Sequence, residues 1–251
     1  MNSQVREKLI EVVQAGDATL LRDASRVRAL LADAVPDATR EIAALAAAVE
    51  ENVPPSISRA SESLSLQGSL DRLARALADN RALALGAATW AVRSWAWALQ
   101  KGPPPDDAAA DTDGGTPPAM RAAPRHTLRH ILTTYGAGVQ RDASRLRALL
   151  ADLAPGFRRE QAALVAAVEE GIADRIVARS QPDGPLPVPQ LADRLVHGQA
   201  LSADAATWSI MSWAWALGQG PEPSDVVTDA PSDGVPPPPY RPSPPPPRSD
   251  Q

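Results

Sequence analysis

Two histidines come first among the residues able to do chemistry. His126 and His130 stand four apart, a spacing that sets two imidazoles on one helical turn over a single metal ion. The only other histidine is His197, no His-Glu-x-x-His arrangement occurs, and there is no cysteine, so the remaining ligands of such a site are missing and no metal is expected. The absence of cysteine also excludes thiolate nucleophiles and disulfide frameworks. No glycine-rich phosphate loop, dinucleotide fingerprint or Gly-x-Ser-x-Gly nucleophile turn is present, and the glycines fall mainly in linkers and caps. No catalytic residue and no cofactor is implied, and the sequence points away from an enzyme.

A second pattern is cationic. Arg22, Arg26 and Arg28 return as Arg141, Arg145 and Arg147. Arg22 and Arg26 share a helix face at i, i+4, as do Arg141 and Arg145, which suits either a carboxylate or a phosphate. Each group has an acidic pair downstream, Glu50-Glu51 and Glu169-Glu170, at the C-terminal end of a predicted helix. The macrodipole disfavours negative charge there, and an arginine folded back onto the pair relieves it. The arginines are therefore expected to set charged register, within the fold or toward a partner.

Tryptophan supplies the third pattern. Trp90, Trp95 and Trp97 match Trp208, Trp213 and Trp215. At about 100° per residue, Leu83, Trp90, Arg93, Ser94 and Trp97 fall on one side of a helix, and Leu85, Ala88, Val92, Trp95 and Leu99 on another. The second copy reads Leu201, Trp208, Met211, Ser212, Trp215 on the first side and Ala206, Ile210, Trp213, Leu217 on the second. One side must face the core of its own repeat. The other is either further core or a contact surface, since Trp and Met are favoured at interfaces. Trp90, Arg93, Trp97, Trp208, Met211 and Trp215 are the candidate partner-binding residues.

These patterns recur because the sequence repeats itself. Residues 22–51 and 141–170 are identical at 22 of 30 positions, with an offset of 119 that falls to 118 at the tryptophans. The segment between is only weakly similar. An internal duplication is the simplest origin, giving helical repeats at 1–101 and 124–218, a linker at 102–123 and a tail at 219–251.

The apolar periodicity is helical almost throughout. In the first repeat Leu20, Ala24, Val27 and Leu31 line a helix that Pro36 ends, and Ile42, Leu45 and Val49 line a second that Pro54-Pro55 ends. Ser69 is placed to N-cap a third, with Leu70, Leu73 and Leu77 inward, and the tryptophan helix closes the repeat. In the second repeat Pro155 matches Pro36, Gly171 is a C-cap, 181–189 is a loop, and Gly218 ends the last helix. The expected fold class is all-α, two similar helical bundles. The linker is rich in Pro, Asp, Ala and Gly, and the tail holds 12 prolines with almost no aliphatic residues, so both are predicted to be disordered.

Charge narrows the partners. Of the net −5, almost none belongs to the repeats: 1–101 carries 12 basic and 12 acidic side chains, and 124–218 carries 10 and 9. Near-neutral domains lack the phosphate-neutralising charge that drives nucleic-acid affinity, so no nucleic acid is expected. The N-terminus has neither an apolar core nor a cleavage site of a signal peptide, and no run reaches about 18 apolar residues, so no membrane partner and a cytoplasmic location are the expectation. The proline-rich tail, with Pro237-Pro-Pro-Tyr240, has a composition that polyproline-binding domains grip, and is equally suited to being a spacer.

The pattern Arg-Leu-Arg-Ala-Leu-Leu-Ala-Asp-Leu-Ala-Pro at 145–155, then Ala-Ala-Leu-Val-Ala-Ala-Val-Glu-Glu-Gly at 162–171, then Ala-Ala-Thr-Trp208 through Leu217, resembles a helical accessory module of bacterial signalling and effector proteins. In that family the module is appended to serine/threonine kinases and other effector or sensor domains. Here it stands in tandem without an effector domain, and Trp97 and Trp215 are additions to its pattern. The resemblance implies a non-enzymatic adaptor that binds another protein, a signalling or effector protein; the tryptophan faces themselves make self-association a further option. The alternative is a small-ligand binder with an apolar, Trp-lined pocket.

Overall fold

The same side chain starts the second helix of each half. Asp23 and Asp142 each accept the backbone N–H of the residue three places on, Arg26 and Arg145, at 2.9 Å, so each helix begins with one of its orphan donors satisfied. The computed structural model describes residues 2–16, 19–60, 66–103, 119–178 and 186–222. Most of the linker and tail, and with them the expectation of disorder, lie outside the described residues. Within them the chain is all-α. The first run is α1 (Ser3–Ala15), α2 (Ala24–Ala34), α3 (Thr39–Glu50), α4 (Val53–Ala60), α5 (Leu66–Arg81) and α6 (Leu85–Ala98). The second is α7 (Ala123–Tyr135), α8 (Ala143–Leu153), α9 (Arg158–Glu169), α10 (Ile172–Val177), α11 (Val188–Gln199) and α12 (Ala203–Ala216). Their order matches one for one. None is long and apolar enough to cross a membrane.

Helices α3 and α9 form the centre. Ile42 through Val49 are all buried, as are Ala163 through Val168, so both helices are enclosed along these stretches. Alanine at most of these positions lets neighbours approach from every side. Each central helix packs against the tryptophan helix of its own run, α3 on α6 and α9 on α12. The runs then join reciprocally, α3 on α11 and α5 on α9. At the middle of this seam Leu83 and Leu201 form an antiparallel bridge, with Ala84 N–H donating to Ala200 O at 3.0 Å and Ser202 N–H to Ala82 O at 2.9 Å.

Several sequence expectations are corrected. Pro54-Pro55 opens α4 instead of merely ending α3: both prolines sit in the first turn, where the missing N–H has no intrahelical partner to lose. The turn itself is made by Asn52, at φ 55°, the position held by Gly171 in the second run, at φ 66°. Ser69 lies inside α5 and is buried, so it is not the cap. Leu83 and Leu201 precede the tryptophan helices and belong to the seam. Helices α1 and α7 add to the elements that the apolar periodicity predicts.

The tryptophan helices end alike. Lys101 N–H reaches Ala96 O at 2.8 Å and Gln100 N–H reaches Trp97 O at 2.9 Å, while Gln219 and Gly218 make the matching bonds to Ala214 and Trp215. This closing pattern wants a left-handed residue, and Gly218 (φ 71°) supplies it without strain where Gln100 (φ 59°) does not. Gln100→Gly is expected to raise stability by up to about 1 kcal/mol, and Gly218→Gln to lower it by a similar amount. Urea midpoints at unchanged m would show both signs.

Candidate binding surfaces

The two apolar sides of each tryptophan helix have separate covers. The Trp95 side faces the centre: Trp95 and Trp213 are fully buried, and their indole Nε1–H groups donate to Leu45 O at 3.1 Å and Leu164 O at 3.0 Å. The opposite side, carrying Trp90, Trp97, Trp208 and Trp215, is covered by the N-terminal helix of the same run, α1 on α6 and α7 on α12. Arg6 lies over the Trp97 ring, 5.2 Å from its centroid. In the second run Arg125, 5% exposed, lies over Trp208 and donates from Nε to Ser212 Oγ at 3.1 Å, while Arg129 stacks on Trp215 at 4.6 Å and His126 meets it edge-on. Such guanidinium–indole contacts favour Arg over Lys in these places.

The sequence-derived candidates are thus brought to one side of each run but largely closed over. Trp90 is 1% exposed and Trp215 6%, which leaves little of either ring for a partner. Trp97, Trp208, Met211 and Arg93 are half-buried, and Arg93 reaches Asp71 at 3.5 Å. His126 and His130 are exposed on α7, and among the described residues no three His, Asp or Glu side chains are grouped to hold a metal.

The arginine groups divide. Arg22, Arg26, Arg141 and Arg145 are exposed, with Arg141 paired to Asp174 at 3.0 Å. Arg28 and Arg147 turn to the acidic pairs, Arg28 4.0 Å from Glu50 and Arg147 2.8 Å from Glu169, so the charge at the C-termini of α3 and α9 is offset as its helix position requires.

These two pairs sit across the seam, and between them is a cavity of about 210 Å³ that the sequence did not disclose. Its floor is apolar and mostly small: Ala43, Ala47, Ala162 and Ala166, with Leu83, Leu201 and Val165. Its walls carry Arg28, Arg81, Arg147 and Arg158 against Glu50, Glu51 and Glu169, and no tryptophan. Arg81, the last residue of α5, is held between Glu50 and Glu51, the second at 3.8 Å, and Glu51 also meets Arg158 of the other run at 3.9 Å. Burial, together with the like charges of Arg147 and Arg28 and against the pull of Glu169, pushes the Arg81 guanidinium down to about 10, still charged at neutral pH.

Two charged positions of the walls differ from their counterparts in the other run. Position 199 is Gln where its mate is Arg81, and Gln199 instead donates to Glu170 at 3.1 Å. Position 158 is Arg where its mate is Thr39. Both differences put the extra cation on the side of the Asn80–Arg81 end of α5. A second cavity, of about 380 Å³, shares Asn80 and Arg158 as walls and adds Arg121, Arg159, Asp79 and Glu160. The nearly buried Arg159 there approaches Asp79 across the seam at 3.9 Å. The sequence held a clue at two places, Arg81 against Gln199 and Arg158 against Thr39, each a charge present in one run and absent from the other.

The fold and this seam define a class: an all-α protein of two matching six-helix runs, closed on each other around a charged groove. Beyond that class no likeness was found, for no family model, no curated protein and no solved structure matches the chain.

Proposed function

We propose that the chain is a non-enzymatic protein-interaction module, and that it takes a segment of its partner into the groove along the seam. The observation that carries this reading is the groove's construction, an alanine floor with arginines and glutamates of both runs along its walls. Side chains that stop at Cβ let another backbone come close. Walls of both signs do not suit a polyanion, but they suit a polypeptide whose own charges fix register. The cavity's 210 Å³ lies below the roughly 300–1,000 Å³ usual for small-molecule pockets, so it admits a side chain more readily than a cofactor. A signalling or effector protein as that partner follows from the sequence resemblance alone.

The test is a native-cell purification of the wild type beside two variants. Ala162→Trp fills the groove from a half-buried position, and is expected to lose the partner while far-UV circular dichroism is unchanged. Trp97→Ala is expected to keep it. The opposite outcome, a partner lost with Trp97→Ala and retained with Ala162→Trp, would move the contact to the tryptophan face and overturn the groove.

A further inference from the structure

We propose that the seam cavity is a carboxylate-binding site, in which Arg81 and Arg147 grip the acidic side chain of a peptide segment supplied by the partner. This rests on the groove reading above and gives it a chemistry. Arg81 comes from the end of α5 and Arg147 from α8, so the two guanidiniums approach the cavity from different runs, with Arg28 and Arg158 also in its walls. Their partners inside the chain are spread thin. Glu50 is shared by Arg28 and Arg81, and Glu51 by Arg81 and Arg158. Four arginines face three glutamates, leaving one positive charge to be met by a ligand.

That balance selects the ligand. A single carboxylate neutralises the surplus, and its planar pair of oxygens matches the guanidinium fork bidentately. A phosphate carries up to two negative charges into a space already walled by Glu50, Glu51 and Glu169, so repulsion offsets more of its attraction. A free cation meets four guanidiniums. The floor of Ala43, Ala47, Ala162 and Ala166 adds an apolar surface for the residues flanking the acid, which a free small carboxylate would not use. The lowered proton affinity of Arg81 comes first from its burial and then from the like charges of Arg147 and Arg28, and an entering anion offsets the second of these.

The full chain should be titrated by calorimetry or amide NMR with three probes: the blocked peptide Ac-Ala-Glu-Ala-NH2, its Gln counterpart, and succinate. The Glu peptide is expected to bind at least about tenfold more tightly than the Gln peptide, the difference expected of a charge-assisted bond. Arg81→Gln installs the residue that the other run carries at this place, and is expected to erase that preference. Arg147→Gln is the second variant if the first unfolds. Equal binding of the two peptides, no binding of either, or a preference surviving in both variants would overturn the carboxylate site. Succinate binding as well as the Glu peptide would assign the site to a free small acid and overturn the peptide. Inorganic phosphate outcompeting the Glu peptide would overturn the carboxylate in favour of a phosphate. If Ala162→Trp loses the cellular partner while Arg81→Gln and Arg147→Gln both keep it, the groove stands and the carboxylate falls.

Discussion

Trp213→Ala is expected to cost about 4 kcal/mol, among the largest losses from a single side chain of the described residues. A fully buried tryptophan truncated to alanine loses its transfer free energy and leaves a cavity, typically about 3–5 kcal/mol together. Trp213 has no exposed surface and donates its indole N–H to Leu164 O at 3.0 Å, so the truncation also removes a buried hydrogen bond between α12 and α9. Trp95→Ala should match it, because Trp95 holds α6 to Leu45 of α3 in the same way. Trp97 differs: it is half-buried beneath Arg6 at the edge of α1, and its truncation should cost about half as much or less. Urea unfolding would separate them. Equal losses for Trp97 and Trp213 would mean that α1 does more than cover an edge.

The second large effect is at the seam. Leu83 and Leu201 are 5% and 2% exposed, and replacing either with alanine should cost about 2–3 kcal/mol. The bonds from Ala84 to Ala200 and from Ser202 to Ala82 flank the two leucines, which makes them a non-hydrogen-bonded antiparallel pair with neighbouring side chains. Their losses should therefore not add: once one leucine is gone, the other has less to contact. The double variant is expected to fall short of the sum by about 0.5–1 kcal/mol, an interaction that a double-mutant cycle reads directly. Strict additivity would mean that the runs do not meet there.

Much of the helical layout was legible because the sequence supplies both period and punctuation. Val27 and Leu31 carry the buried stripe of α2, which stops just before Pro36, and Gly218 ends α12 with the positive φ that glycine tolerates. The pairing of Arg28 and Arg147 with the acidic residues was legible from the macrodipole argument. The N-terminal helices were not, and their signal is weaker. In α1 only Val5 and Leu9 are fully buried, and in α7 the arginine at 125 does part of the covering, a residue that reads as solvent-facing in any hydrophobic pattern. Comparing the two runs gives the missing clue, for Arg6 and Leu9 return at Arg125 and Leu128 with the same offset of 119. Once α1 and α7 are in place, the second apolar side of each tryptophan helix is accounted for. The seam was beyond reach for a different reason: α3 and α9 are apolar all round, and a helix buried on every face does not say which neighbour takes which face.

The groove exists only if the two runs close on each other at Leu83 and Leu201. The chain has no cysteine, so a Leu83→Cys/Leu201→Cys variant reports on this contact without competing thiols. A non-hydrogen-bonded antiparallel pair holds its Cα atoms at roughly 4.5 Å, within the about 4.4–6.8 Å that a disulfide spans. Mild oxidation of the folded, dilute protein is expected to consume both thiols and give an intrachain disulfide in nearly every molecule, seen as a mass lower by two hydrogens with no dimer. Two free thiols persisting in the folded protein after oxidation would contradict the closed seam, and with it the groove and the function drawn from it.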